Sequence, residues 1–322
     1  MRPGVVPGLL IVFLSILFSC SKDPVEPLNG NITRLLPGEW LTGIDFNSRG
    51  DVLVCGGLPG RSGSLFRSSD GGATWSKTLL LQGKCFFFVR FVDDTLAYAG
   101  ADYVGLWRSI DAGISWHAVD LADTVPVNEF DRPAFRHMAV QRNKLVMVGG
   151  DYGKKGVCYV SVNRGYSWRF VRMDHQLAGV DFSVGGEAFI AGWGYCARFD
   201  PSTVLAQQTD LRGDFFTSVV YTGMATALMT GYDGNIYKTT NHGVDFTRLY
   251  AGSSCRFNHL AAIDGGLVAA SDDGVLAFGN PDSESWTLKQ LPSRHRILRV
   301  AQRPGGGLVA LTSNGELIRT AP

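Results

Sequence analysis

The chain has 322 residues, of which 18% are charged, and a formal net charge of +1. So even a balance argues against a nucleic-acid surface, which announces itself first as clustered basic charge. Forty glycines, 19 phenylalanines and 7 tryptophans, without a long run of helical periodicity, point instead to short aromatic strands and tight turns in an all-β fold.

The first element is an address. Residues 9–18 form an apolar run of ten, too short for a bilayer span and suited to a signal-peptide core. The run ends in Leu17-Phe-Ser-Cys20. That resembles the bacterial lipobox, in which the signal is cut before a Cys that becomes lipidated. Small Ser19 fits; bulky Phe18 departs from the usual residue. A plain secretory signal with an incidental Cys20 stays open. The expected division is a signal peptide over 1–19, lipidated Cys20 with a flexible, proline-bearing tether over 20–30, and one folded unit over 31–322. By resemblance, Ser21 rather than Asp after the Cys places such a protein in the outer membrane of a bacterial cell envelope, its folded unit extracytoplasmic.

Four near-identical segments follow: Ser68-Ser-Asp70-Gly-Gly72-Ala-Thr-Trp75, Ser109-Ile-Asp111-Ala-Gly113-Ile-Ser-Trp116, Ser161-Val-Asn163-Arg-Gly165-Tyr-Ser-Trp168 and Thr239-Thr-Asn241-His-Gly243-Val-Asp-Phe246. Each reads as a turn joining two strands. The Asp or Asn oxygen should accept from backbone N–H groups two residues on, Gly takes the strained angle, and the aromatic ring starts the return strand. Before each segment lie an apolar strand, as in Phe86-Phe-Phe-Val-Arg-Phe91, and a small-residue strand ending in Gly, as in Ala188-Phe-Ile-Ala-Gly192. Four strands in roughly 40 residues is the scale of a propeller blade.

First strands begin near Trp40, Cys85, Ala134, Gln176, Phe215, Cys255 and His295, which makes seven units. The fourth carries Phe199-Asp-Pro-Ser202 in place of the turn motif; the sixth carries a worn copy ending at Trp286. The seventh stops after three strands, so residues 31–36 should supply its fourth and close the ring. The expectation is a seven-bladed β-propeller of four-stranded blades, closed by an N-terminal strand.

The turn motif resembles the Asp-box, or BNR repeat, of sialidases and sortilin-type receptors. Single-propeller length and the Gly-Gly-x-x-Trp style look most like the photosystem II assembly-factor-like family. The resemblance implies structural roles for Asp70, Trp75, Asp111, Trp116, Asn163, Trp168, Asn241 and Phe246, and a propeller that binds protein without defined catalytic residues.

Function on a propeller concentrates where the loops between second and third strands meet those entering first strands. Here they bring Asp102, Tyr103, Asp151, Tyr152, Trp193, Tyr195, Tyr232, Asp233 and Asp272, flanked by Arg136, His137, Arg256, His259 and Arg299. Rings alternating with carboxylates suit a protein or glycan ligand. Paired carboxylates such as Asp102 with Asp151, or Asp233 with Asp272, leave a glycoside hydrolase or lyase open. A sialidase fits poorly: Phe130-Asp-Arg132-Pro133 lacks the middle residue of the Arg-Ile-Pro motif. The six histidines show no metal-ligand spacing, and no cofactor is expected. Of the cysteines, Cys55, Cys158 and Cys196 read as small apolar core residues, with a bond between Cys158 and Cys196, in equivalent strands of adjacent blades, left open; Cys85 and Cys255 sit at first-strand starts too far apart to pair.

Overall fold

The computed structural model describes residues 25–121, 133–151, 155–209, 211, 213–251, 256–282 and 285–322. Residues 1–19, Cys20, Arg132, Tyr152 and Cys255 therefore lie outside the described residues. Those described form 29 strands and no helix.

Two short strands, β1 (Glu26–Pro27) and β2 (Gly30–Arg34), come first. Blade one is β3 (Trp40–Phe46), β4 (Val52–Leu58), β5 (Ser62–Ser68) and β6 (Ser76–Gln82). Blade two is β7 (Phe86–Phe91), β8 (Ala97–Ala101), β9 (Leu106–Ser109) and β10 (His117–Ala118). Blade three is β11 (Ala134–Gln141), β12 (Lys144–Asp151), β13 (Lys155–Ser161) and β14 (Arg169–Met173). Blade four is β15 (Leu177–Phe182), β16 (Ala188–Gly192), β17 (Tyr195–Asp200) and β18 (Leu205–Gln208). Blade five is β19 (Phe216–Tyr221), β20 (Ala227–Gly231), β21 (Asn235–Thr239) and β22 (Thr247–Ala251). Blade six is β23 (Phe257–Ile263), β24 (Gly266–Ser271), β25 (Val275–Gly279) and β26 (Thr287–Gln290). In blade seven, β27 (Ile297–Gln302), β28 (Leu308–Thr312) and β29 (Glu316–Thr320) take β2 as fourth strand, pairing Gly30 with Thr320 and Arg34 with Glu316. Each innermost strand packs against the next, β27 against β3 included, so the ring is closed.

The tether differs from expectation. β1 adds a fifth strand to blade six, parallel to β26, and Leu28 N donates to Gln290 O at 2.7 Å. Leu28 also packs on the apolar cluster between blades six and seven. The folded unit thus begins before residue 31, because an apolar side chain and a free sheet edge are both available there.

The question left open for Cys158 and Cys196 is answered in favour of core residues. Cys158 and Cys196 are free and fully buried, in separate core clusters. Cys196 Sγ meets Thr209 Oγ1 at 2.7 Å, and burial pushes its thiol up to about 11. They serve as small core side chains, as do Cys55 and Cys85.

The four turn motifs share one hydrogen-bond set, reaching four residues rather than two. In each, the opening hydroxyl accepts from the Gly N–H: Ser68 from Gly72, Ser109 from Gly113, Ser161 from Gly165 and Thr239 from Gly243, at 2.7 to 2.8 Å. Asp70, Asp111, Asn163 and Asn241 then accept from Thr74, Ser115, Ser167 and Asp245 N–H at 2.9 to 3.0 Å. Trp75 and Trp116 donate from Nε1 to the Gly72 and Gly113 carbonyls. The glycine has no alternative. Gly165 has φ 86°, and a Cβ there would stand 2.1 Å from the Tyr98 hydroxyl of the preceding blade. These turns bind blade to blade; Arg319 of β29 donates to Gly72 O at 2.8 Å and extends the seam across the closure.

Candidate functional site

The face opposite the turns is built by one repeated irregularity. In all seven innermost strands the register with the second strand slips by one residue near the start. The extra residues are Thr42, Phe87, Arg136, Ala178, Thr217, Asn258 and Leu298. A bulge re-aims a side chain and increases local twist, and all seven line a single cavity of about 280 Å³ at the mouth of the ring.

The local sequence explains the bulge. The residue before each extra residue is large, apolar and buried: Leu41, Phe86, Phe135, Leu177, Phe216, Phe257 and Ile297. The residue three further on is buried too: Ile44, Val89, Met138, Val180, Val219, Leu260 and Val300. Residues three apart face opposite sides of a regular strand; one extra residue lets both enter the core. The partner on the second strand is small, for instance Gly56, Gly149 and Gly192. A Cβ at these would stand 1.9 to 2.1 Å from the carbonyl oxygen of Trp40, Ala134 or Gln176, where the chain enters the first strand of the same blade.

The bulge side chains also join blades. Thr42 Oγ1 donates to Phe86 O at 2.6 Å, Thr217 Oγ1 to Phe257 O at 2.8 Å, and Asn258 Nδ2 to Ile297 O at 3.0 Å. The Arg136 guanidinium lies 4.3 Å over the Phe87 ring.

Arg299, one residue past the last bulge, is also in the cavity lining. It donates to its neighbour Leu298 O at 3.1 Å and across the ring to Arg136 O at 3.4 Å. Burial lowers its pKa to about 10, so it stays a cation at neutral pH. His137 and His259 occupy the same layer. His137 Nδ1 donates to Val180 O at 3.1 Å, while His259 Nδ1 accepts from Val300 N at 3.4 Å. Burial, reinforced by Arg299, lowers His137 to about 3 and His259 well below its ordinary value, so both imidazoles are neutral. Deeper along the axis, Asp45 and Asp181 accept from Phe91 N and Tyr221 N of the next blades at 2.7 and 2.8 Å.

The aromatic rim continues to one side. Trp193 and Phe215 have ring centroids 5.5 Å apart, Phe215 and Tyr232 4.7 Å, and Arg256 lies 5.5 Å over Tyr232. Trp193 is 54% and Tyr232 38% exposed, so this shelf presents its rings to solvent.

The residues expected at the mouth divide sharply. Arg136, Tyr232 and Arg299 line the cavity, and Trp193 extends it. Tyr103 is exposed at a loop tip, Asp151 ends β12, and Asp233 is exposed beside Asp214. The carboxylates mostly serve loops. Asp102 accepts from Gly60 N and Cys85 N at 3.1 and 3.0 Å, and Asp272 holds Arg296 at 2.8 Å and Asn258 at 2.9 Å. Tyr195 is buried and stacks on His175 at 5.0 Å. No carboxylate lines the cavity among the described residues. The picture of rings alternating with free carboxylates is thereby corrected to aromatic rings and three guanidiniums, of which Arg296 is held by Asp272. Sequence reasoning missed Phe87, whose signal was the spacing of three between buried apolar residues, and Trp40 and Phe215, each one residue before the first buried apolar side chain of its strand.

No group of three His, Cys, Asp or Glu among the described residues could hold a metal ion. No protein-family model and no curated protein matches the chain. Solved structures do. YCF48 from Cyanidioschyzon merolae superposes with a TM-score of 0.68 at 17% identity, over 91% of this chain and 99% of that one. YCF48 bound to D1 peptide gives 0.71 at 15% identity, over 93% and 98%. The extracellular domain of the hybrid two-component system BT4673 from B. thetaiotaomicron gives 0.68 at 14%, over 92% of this chain and 40% of that one. At these identities the likeness establishes the seven-bladed propeller fold, and function has to be argued from the site.

Proposed function

We infer that the chain is a non-enzymatic binding propeller that takes a segment of a protein partner into the mouth of its ring. One observation carries the reading: seven bulges open side chains of six kinds into one cavity, with Arg136, Arg296 and Arg299 in its wall and no carboxylate in the lining, Asp272 pairing with Arg296 alone of the three. A desolvated guanidinium favours an anionic group, and the Trp193–Phe215–Tyr232 shelf favours apolar or aromatic side chains. A structural neighbour of the same fold is described with a bound peptide, which agrees. The engagement of Asp102 and Asp272 within the protein weakens the glycoside hydrolase or lyase alternative, which needs two carboxylates facing one cleft.

The same shelf is also a sugar platform, so the test sets the two ligands side by side. The full-length protein is applied to an array of acidic and neutral peptides and to a glycan array, with Trp193→Ala/Tyr232→Ala as control. Acidic-peptide binding that the double variant loses supports the reading. Glycan binding with a silent peptide array, or peptide binding indifferent to the double variant, overturns it.

Anchoring through Cys20 in the cell envelope, in the outer membrane by the residue after it, belongs to the same proposal. Its support is the apolar run and the Leu17-Phe-Ser-Cys20 segment. Metabolic labelling with a fatty acid should be lost in Cys20→Ala; labelling that persists removes it.

A further inference from the structure

The turn face carries a feature its hydrogen bonding does not require. In blades two to five, loop tips present Ile110, Ile114, Tyr166, Val184, Met224 and Val244, each at least 60% exposed. At corresponding tips of the other blades stand Asp264, Asp282, Pro304, Ser48 and Ser69. The first turn motif has Ser69 and Ala73 where the second has Ile110 and Ile114, so the turn itself accepts polar or small residues there. Of the charges among the apolar tips, Arg164 pairs with Asp93 and Asp94 with Arg49, while Arg142 at the β11–β12 tip is exposed. Four adjacent blades thus expose apolar tips on one face, a pattern that marks a contact surface.

Chain direction says what the contact is. The loop between β24 and β25 lies at the mouth, so β25 runs away from the mouth and antiparallel β26 runs back toward it. β1 is parallel to β26, pairing Glu26 with Lys289 and Pro27 with Gln290. The polypeptide therefore enters the propeller from the turn-face side. Only five residues separate Cys20 from Glu26, a reach of at most about 20 Å.

We propose that the turn face of blades two to five rests on a lipid bilayer, its apolar tips in the headgroup–acyl boundary, so that the mouth opens away from the membrane. The proposal rests on the anchored reading of Cys20. What these residues supply is apolar insertion rather than attraction to anionic lipid, so the contact should withstand salt.

The lipidated full-length protein is floated with phosphatidylethanolamine and phosphatidylglycerol vesicles whose acyl chains carry a doxyl quencher. In a Cys255→Ser background, an environment-sensitive fluorophore is attached at Tyr166→Cys or Val244→Cys on the turn face, or at Tyr103→Cys at the mouth. Quenching of about twofold or more, with a blue shift, is expected at 166 and 244 and not at 103. Adding Ile114→Asp and Val244→Asp should abolish quenching at 166 while the anchored protein still floats. Floating protein with all probes in water, or with the mouth probe quenched, overturns the orientation and leaves the anchor standing. Protein that does not float overturns the anchored reading and the orientation with it.

Discussion

At the turn face, four loops repeat the same turn to make the same hydrogen bonds, and blade four reaches a related turn through Asp200 and the Ser202 N–H at 2.8 Å. At the mouth face, seven strands repeat a backbone slip and fill it with Thr, Phe, Arg, Ala, Thr, Asn and Leu. Where the side chain itself makes the turn, repetition is enforced by geometry. Where the backbone makes the feature, the side chain is released to differ, and a ring of sevenfold pseudo-symmetry becomes a site with one orientation. Variation within a repeat thus locates function better than the repeat does.

The sharpest way to break this contrast is to attack the turn face at its glycine. Gly165→Val adds a branched side chain at φ 86° into the Tyr98 hydroxyl. It should cost about 3 to 5 kcal/mol in urea unfolding, with unchanged ligand affinity per folded molecule. Ser109→Ala removes the hydroxyl that accepts from Gly113 N and meets Asp111. A loss of about 1 to 2 kcal/mol is expected, again without effect at the mouth.

The axial histidines give a smaller, pH-dependent effect. An unfolded His titrates near 6.5, whereas folded His137 is held to about 3. Between those values the unfolded chain binds the proton and the folded chain does not, so stability falls as pH drops from about 6.5 toward 3. Thermal unfolding against pH should show this slope, and His137→Gln should flatten it. A slope that the variant leaves intact would remove His137 from the account. Smallest in stability are Trp193→Ala and Tyr232→Ala, which should change unfolding by about 0.5 kcal/mol or less because both rings are exposed, yet weaken ligand binding at least about tenfold.

Much of this contrast was legible beforehand, and the remainder was not for identifiable reasons. Turn motifs with a preceding strand put β5, β9, β13 and β21 in place, and the missing fourth strand of the last blade pointed to β2. Phe86-Phe-Phe-Val illustrates what was overlooked. Read as a continuous buried strand, it conceals that Phe86 and Val89 enter the core while Phe87 faces the mouth. The spacing of three recurs at Leu41 and Ile44, and at Phe257 and Leu260, so it could have been found by asking why a strand breaks its period of two. Carboxylates were harder. Asp102 looks free in the sequence because its partners, Gly60 N and Cys85 N, are backbone groups of distant loops. Cys158 and Cys196 occupy equivalent strands of adjacent blades, but equivalence in a ring places side chains in separate core clusters rather than against each other. Proline and polar residues in the tether suggested a free linker, and one apolar residue, Leu28, with an open sheet edge beside it was enough to dock its end.

The most direct test of the central claim is Arg299→Met, measured for both thermal stability and acidic-peptide binding. A buried cation kept for the fold would be missed when removed, whereas one kept for a ligand is replaced by an apolar side chain at little or no cost. The account predicts an unfolding midpoint equal to or above that of the unaltered protein, together with loss of peptide binding. A markedly lower midpoint with binding intact in the folded fraction would make Arg299 a structural strut of the ring and contradict the mouth as the binding site.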